Sequence, residues 1–401
     1  MKIAVIGSGI SGLSAAYYLS KKHKVDLFEK DDHFGGHSYT LDLNINKKNI
    51  SADIGFIVFN YKTYPNLINF FKDNSIEIEE SNMSFSVSVK DTNFEYCGKG
   101  ILGMFCNISN LFNLKFLKMF FDIIKFYKKN ENFKIDDNNL TLGDYLNKEK
   151  ISREFIDYHI IPMVAAIWSM PPYEASQMPL KFFLKFFQNH GLFKLKNRPK
   201  WYTVSNRSRT YVNKILNKIS GEYYKNYKIN LIKRYKENVE IFYGEKNEFF
   251  TYDKVIIATH ADEALSLLEY PSEDEKKLLS NFKYKSNLAV IHTDKNQMPK
   301  NKKAWSAWNA KLNKNVRENS SVTYWLNLLQ NLKFNEDIFL SLNPFDEIDK
   351  KKILKQVKFT HPYYDKLALE NQTRLKKIQN VNNTLFCGSY FGYGFHEDGI
   401  T

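Results

Sequence analysis

Residues 2–19 read KIAVIGSGISGLSAAYYL, and this stretch decides the fold. Lys2–Ile6 is a short apolar run of the kind a buried parallel strand needs. Gly7, Gly9 and Gly12 follow at once, and Leu13–Leu19 offers Ala15, Ala16 and Leu19 to one face of a helix. The next run, KVDLFEK, predicts a second strand that ends on Glu29. Strand, glycine loop, helix and distal acid together make the dinucleotide fingerprint. Gly7 allows the tight turn, Gly9 lets backbone approach a pyrophosphate, and Gly12 lets helix and strand pack closely. Ser11 lies in the same loop, and the helix N-terminus presents free N–H groups to phosphate. Glu29 is placed to accept from a ribose hydroxyl, and its charge disfavours a 2′-phosphate.

Downstream, FEKDDHFGGHSYT supplies a second glycine pair, Gly35 and Gly36, with Ser38 and Thr40 beside it. Such a pair lets backbone meet the same dinucleotide again, and the hydroxyls can reach phosphate. An NAD domain does not need it.

Together, GSGISGLSAAYYL and FEKDDHFGGHSYT resemble the N-terminal signature of the flavin-containing amine oxidase superfamily, which includes phytoene-desaturase-like and protoporphyrinogen-oxidase-like enzymes. Further blocks are similar to a bacterial subgroup of predicted NAD/FAD-binding proteins. These are ADIGFIVFNYKTYPNL (52–67), PMVAAIWSMPP (162–172), RPKWYTVSNRSRTYV (198–212), VIIATHADEAL (255–265) and FCGSYFGYGFHEDG (386–399). The resemblance implies tightly held FAD and an α/β fold. It implies a discontinuous, Rossmann-like (three-layer ββα) FAD-binding domain from residues 1–66, 205–265 and 376–401. An α+β substrate domain would come from 67–204 and 266–375. It also implies roles for Val239, through its backbone at the adenine, and for Thr259 and Gly388 at the cofactor.

Flavin performs the redox chemistry, so no catalytic triad is required, and none is legible. The expected reaction is hydride removal from a C–N or C–C bond of an amine or an apolar, lipid-like substrate. His396 is the expected titratable group at the flavin ring, with Tyr393 beside it as an aromatic of the substrate site. His37, where relatives carry Arg, reads equally as a phosphate contact or a plain loop histidine. His260 lies just past a strand of the cofactor domain. Tyr390, Phe391, Phe395 and Trp168 are further pocket candidates. Lys283, Lys285 and Lys303 compete for the lysine of the family site, with no ground for choosing. Two departures stand out. Ser389 follows Gly388 where relatives carry an acid, and GFHEDGIT ends at Thr401, so the C-terminal helix of the family is expected to be missing.

The 401 residues suffice for two domains or one large discontinuous one, and the three cysteines suggest neither a disulfide framework nor a metal site. No signal peptide is read, and a cytoplasmic location is expected. The net charge of +14 comes from scattered lysines without a nucleic-acid motif. Two basic aromatic stretches, from Ile101 and from Lys181, read as helices whose apolar faces join the core. Peripheral membrane contact is the alternative. An NAD-dependent dehydrogenase and a non-catalytic flavin-binding protein are the competing readings, and the oligomeric state is left open.

Overall fold

The computed structural model describes residues 1–134, 139–245, 248–313 and 320–401. Residues 135–138, 246–247 and 314–319, inside the stretches assigned above to the two domains, lie outside the described residues.

The opening strand β1 (Lys2–Ile6) runs into helix α1 (Ile10–Ser20) and then strand β2 (Lys24–Glu29). β1 sits in the middle of a five-stranded, all-parallel sheet. The order is Thr384–Phe386, Lys254–Ile257, β1, β2, Tyr223–Lys225. Alternation along β1 builds three layers. Ile3 and Val5 pack with Leu13 and Ala16 of α1 and with Val212 and Ile215 of helix Arg209–Leu216. Ala4 and Ile6 face the opposite way, toward Ile232, Val239, Ile241 and Tyr252 of a three-stranded antiparallel meander. The α/β class and the ββα layering are therefore present.

NLAVIHT, SVTYWLN and DIFLSLN read as strands, and a second, seven-stranded sheet holds them as Lys283–His292, Ser320–Trp325 and Phe339–Leu342. Residues 67–200 read as mostly helical, with Phe, Leu and Lys at helical spacing, yet the sheet recruits Phe85–Val89 and Glu95–Cys97 from them. The alternating FSVSV of the first is a strand pattern that the lysine- and phenylalanine-rich surroundings obscured. Residues 1–66 read as strand, helix, strand and loop, but a hairpin, Thr40–Ile45 with Lys48–Asp53, lies in the last part, turning at Asn46 and Lys47, both at positive φ.

The last described residues form a short helix, His396–Ile400. Gly399 packs it against Ile10 and Ser11 of α1.

Candidate functional site

Gly7 closes β1 at φ +96, and its N–H donates to Phe28 O at 2.8 Å, tying the turn to β2. A Cβ on Gly7 would stand 2.9 Å from Ala258 O, and one on Gly12 only 1.8 Å from Gly7 O. These two glycines are demanded by close packing. Gly9 differs. It caps α1 at φ −60, and a Cβ there would meet nothing within 4 Å. α1 carries no acid in its first turn, so its N-terminal N–H groups and dipole stay available to an anion.

Glu29 is buried. Its Oε2 accepts from Ser8 N and Oγ at 3.0 and 2.5 Å, and its Oε1 accepts from Asp31 N at 3.0 Å. A carboxylate has about four lone-pair sites, so room remains for one more donor such as a ribose hydroxyl. Ser8 Oγ also accepts from Gly35 N at 3.0 Å. The sequence reading passed over Ser8, yet it joins the acid to the second glycine pair. Its signal was the small polar residue within GSG. Gly35 and Gly36 both lie at positive φ, and a Cβ on Gly36 would sit 3.1 Å from Gly9 Cα. The two glycine loops therefore meet backbone to backbone beside the open face of Gly9.

Val239 is not at this edge, which corrects its assignment. It is a buried residue of the middle strand of the meander, paired with Arg234 on one side and Tyr252 on the other. The segment backing Glu29 is Asn226–Tyr227, whose N–H groups donate to Asp31 O and Glu29 O at 3.1 and 2.8 Å. Ser11 stands in the first turn of α1, and its buried hydroxyl lies against Gly399 of the C-terminal helix. Ser38 is also buried, and it hydrogen-bonds Tyr211 Oη and, at 3.0 Å, His396 Nε2, so its hydroxyl is engaged away from phosphate. Thr259 abuts Gly7 through its methyl, and its Oγ1 donates to His260 O at 3.1 Å.

Like Trp168 at Nε1 and Tyr390 at Oη, His37 carries an unspent buried polar atom. Its ring lies 5.1 Å from Phe359 and 5.2 Å from His361, and its Nε2 is buried without a partner. Burial first, then the charges of His361 and His260, hold its pKa well below the ordinary value, so it is neutral. His361 itself bonds Asn287 Nδ2 through Nδ1 at 2.8 Å, and burial pushes its pKa down to about 4. The sequence reading missed this Asn287–His361 pair. Its two residues sit on neighbouring strands 74 positions apart. His260 stacks on Tyr284 at 4.1 Å and begins helix Ala261–Leu267.

His396 stacks on Phe56 at 3.6 Å, and burial pushes its pKa down to about 3. This corrects its expected role. It is a neutral hydrogen-bonding group that locks Ser38, not a group that titrates near pH 7. Gly388 is extended and covered by the Tyr390 ring, and Cys387 N donates to Ile257 O at 3.1 Å beside it.

Beyond this turn opens a cleft of about 590 Å³, whose lining includes Tyr393, Phe395, His190, Glu397 and Asp398. Phe186 stacks on Phe395 at 5.2 Å, meets Trp168 at 4.6 Å, and packs 5.5 Å from Tyr393. An aromatic box thus forms from helix Leu180–Asn189, Trp168 and the C-terminal turn. Burial and the nearby Asp398 push the Tyr393 phenol up to about 12, so it stays protonated. Both acids are already engaged. Glu397 accepts from Asn66 N and Leu67 N at 2.9 and 3.0 Å, and Asp398 accepts from Phe395 N at 2.9 Å. Lys285 pairs with Glu174, and Lys283 with Asp365 at 3.2 Å.

Residues 5–73 match the family model of the NAD(P)-binding Rossmann-like domain. Prenylcysteine oxidase 1 of Homo sapiens and that of Pongo abelii are each 33% identical over 99 residues, 20% of this chain and 19% of theirs. The matched part is therefore about a fifth of the length of those curated relatives. The crystal structure of a CLA-producing fatty acid isomerase from P. acnes superposes with a TM-score of 0.68 at 15% identity, covering 99% of this chain and 96% of that one. Cyclohexylamine oxidase from Brevibacterium oxydans gives 0.66 at 13%, covering 100% and 96%. At such identities the likeness is one of fold. The chain thus carries an NAD(P)-binding Rossmann-like domain at its start and, along its whole length, the fold of the amine oxidases.

Proposed function

We propose that this protein is an FAD-dependent oxidoreductase that removes hydride from a C–N or C–C bond of an apolar, lipid-like or amine substrate. The observation that carries the reading is the contact between the two glycine loops at Gly9 and Gly36, with an open face at Gly9 and the buried, unpartnered Nε2 of His37. The donor set fits a dinucleotide. The N-terminus of α1 and the Gly9 backbone would receive the pyrophosphate, Glu29 a ribose hydroxyl, and His37 Nε2 a polar atom of the same cofactor. Flavin, when bound, supplies the two-electron redox chemistry, and the protein supplies binding and orientation. Tyr393 and Phe395, which line the cleft and are backed by the buried Phe186 and Trp168, would face the substrate. Tyr393, held protonated, can donate a hydrogen bond but not act as a base near neutral pH.

Tyr64, Tyr393 and Phe395 give the cleft an aromatic wall, and Lys62, Lys134, Glu131, Glu397 and Asp398 give it a charged rim, so the lining suits an amine as well as an apolar chain. The names of the similar proteins span the same range, from fatty acid and prenylcysteine to cyclohexylamine and putrescine.

The test is the visible absorption spectrum of the purified protein, before and after denaturation. A flavin spectrum released as free FAD is expected. A protein that remains colourless after incubation with FAD, yet binds NADH reversibly, overturns the reading. For the cleft, Phe395→Ala is expected to raise KM about tenfold for an apolar substrate, the loss of one buried aromatic contact. Its flavin spectrum should be unchanged. Loss of the flavin instead would move Phe395 from the substrate site to the cofactor site.

A further inference from the structure

One surface of the helical region inverts the usual arrangement of polar and apolar side chains. It is built from helix Gly100–Met104, the turn Ile108–Phe112 and helix Leu114–Asn130. Here Asn110 is 1% exposed, while Ile101, Leu102, Ile108, Phe112 and Leu114 are 70, 88, 72, 83 and 82% exposed, and Phe121 is 64%. The amides hold this arrangement in place. Asn110 Nδ2 donates to Glu95 O and Met104 O at 2.9 and 3.2 Å, and Asn107 Nδ2 donates to Asn93 O at 2.7 Å. Asn113 Oδ1 accepts from Lys115 N and Phe116 N at 3.1 and 3.2 Å. Polar side chains shape the backbone, and large apolar ones are presented to solvent. Isolated exposed leucines need no explanation, but a cluster this dense marks an interaction surface.

The long helix shows both halves of the logic. Phe116, Met119, Ile123, Phe126 and Tyr127 enter the core, as its periodicity predicts. The outward face runs Leu114, Lys118, Phe121, Lys125, Lys128, all exposed, with Lys115 beside it. The helix has one acid, Asp122, whose Oδ2 accepts from Ser152 N at 3.0 Å. Apolar side chains bordered by lysines suit an anionic lipid surface. The apolar groups enter the acyl boundary, and the ammonium groups meet phosphate. A second copy of this chain would bring the same lysines against them, and the net charge of +14 makes that pairing worse.

We propose that this face docks the protein on an anionic bilayer. Among the described residues no helix is long and apolar enough to cross a membrane, and the attachment proposed is peripheral. The proposal stands independently of the flavin.

The test is co-sedimentation of the full chain with phosphatidylcholine vesicles, with and without phosphatidylglycerol. Binding is expected only with phosphatidylglycerol, and it should weaken as salt rises. The triple variant Leu102→Asp, Phe112→Asp, Leu114→Asp should lose about a hundredfold in affinity. Lys118→Ala with Lys125→Ala should lose about tenfold on phosphatidylglycerol vesicles. All these side chains are exposed, so melting temperatures should not change. Failure of the unaltered protein to sediment with phosphatidylglycerol vesicles overturns the proposal, as does equal binding by the triple variant. Sedimentation velocity without lipid provides a second check. A dimer that Phe112→Asp converts to monomer would assign the face to a second copy and overturn the lipid reading.

Discussion

Gly9→Val should leave the apoprotein as stable as before and abolish flavin binding, whereas Gly12→Ala, the smaller change, should damage the fold itself. The two glycines lie three residues apart in one loop but serve different needs. Gly9 has φ −60 and ψ 177, a backbone any residue adopts, and open space where its side chain would be. A Cβ there meets no protein atom within 4 Å, so the substitution is expected to cost little in folding. It would occupy the approach to the N-terminus of α1, where the pyrophosphate is expected. We expect a melting temperature near that of the original apoprotein and a loss of about a hundredfold or more in FAD affinity. A Cβ on Gly12 would stand 1.8 Å from Gly7 O, a main-chain atom of the turn that closes β1. The helix must move off the sheet to admit it. Overpacking of this kind costs about 1–3 kcal/mol and more where backbone must shift. Thermal melts and a spectral FAD titration on both variants decide the matter. A Gly9→Val protein that still binds FAD tightly would show that the dinucleotide does not pass this loop.

The second large effect lies away from the site. Arg234, at the end of strand Ile229–Arg234, meets Glu275 of helix Glu273–Leu279 at 2.5 and 3.0 Å through its two terminal nitrogens. The two side chains are only 5% and 0% exposed. Glu275 also accepts from Ser272 N at 2.7 Å as part of a capping box, and Arg234 donates to Tyr270 O at 2.8 Å. Removing one member strands a buried charge. Arg234→Met or Glu275→Gln should therefore cost about 3–5 kcal/mol. Arg234→Met combined with Glu275→Leu should recover most of the loss, since no charge is then left unpaired. The pH dependence follows from the same contacts. Burial pulls the Glu275 pKa up, but the hydrogen bonds from Arg234 and Ser272 and the Arg234 charge outweigh it, and the net shift is down from 4.5. The ionised form is thus favoured by folding. Its contribution is complete above the unfolded value and fades as pH falls through the lower folded one. The gap in melting temperature between the original protein and Glu275→Gln should hold constant at neutral pH and close in acid below about 4.5. A gap that persists undiminished in strong acid would rule out the ion pair as its source.

The sequence by itself was enough for features that depend on near neighbours. KIAVIGSGISGL declares strand, turn and helix within 12 residues, because a glycine turn and an apolar period are local facts. It also declared Gly7, Gly9, Gly12 and Glu29. DKVIIAT and NTLFCGSY read as strands for the same reason, and Lys254–Ile257 and Thr384–Phe386 are strands; the core-facing side of Leu114–Asn130 is equally local. What failed were statements about which atom faces which. Ser38 read as a phosphate ligand, but Tyr211 and His396, 173 and 358 positions away, claim its hydroxyl. Val239 read as a backbone contact, yet sheet pairing encloses it, and Tyr227 takes the place beside Glu29. His396 read as titratable, but desolvation where it stacks on Phe56 disfavours its charged form. The inverted surface at Asn110 and Phe112 was hidden as well, since only the folded chain shows an amide turned inward to Glu95 and a phenyl ring turned out. Residue type and spacing set what a segment of this chain can do. Partners brought in from hundreds of residues away decided which hydroxyls were already spent, which histidines stayed neutral, and which apolar side chains were left facing water.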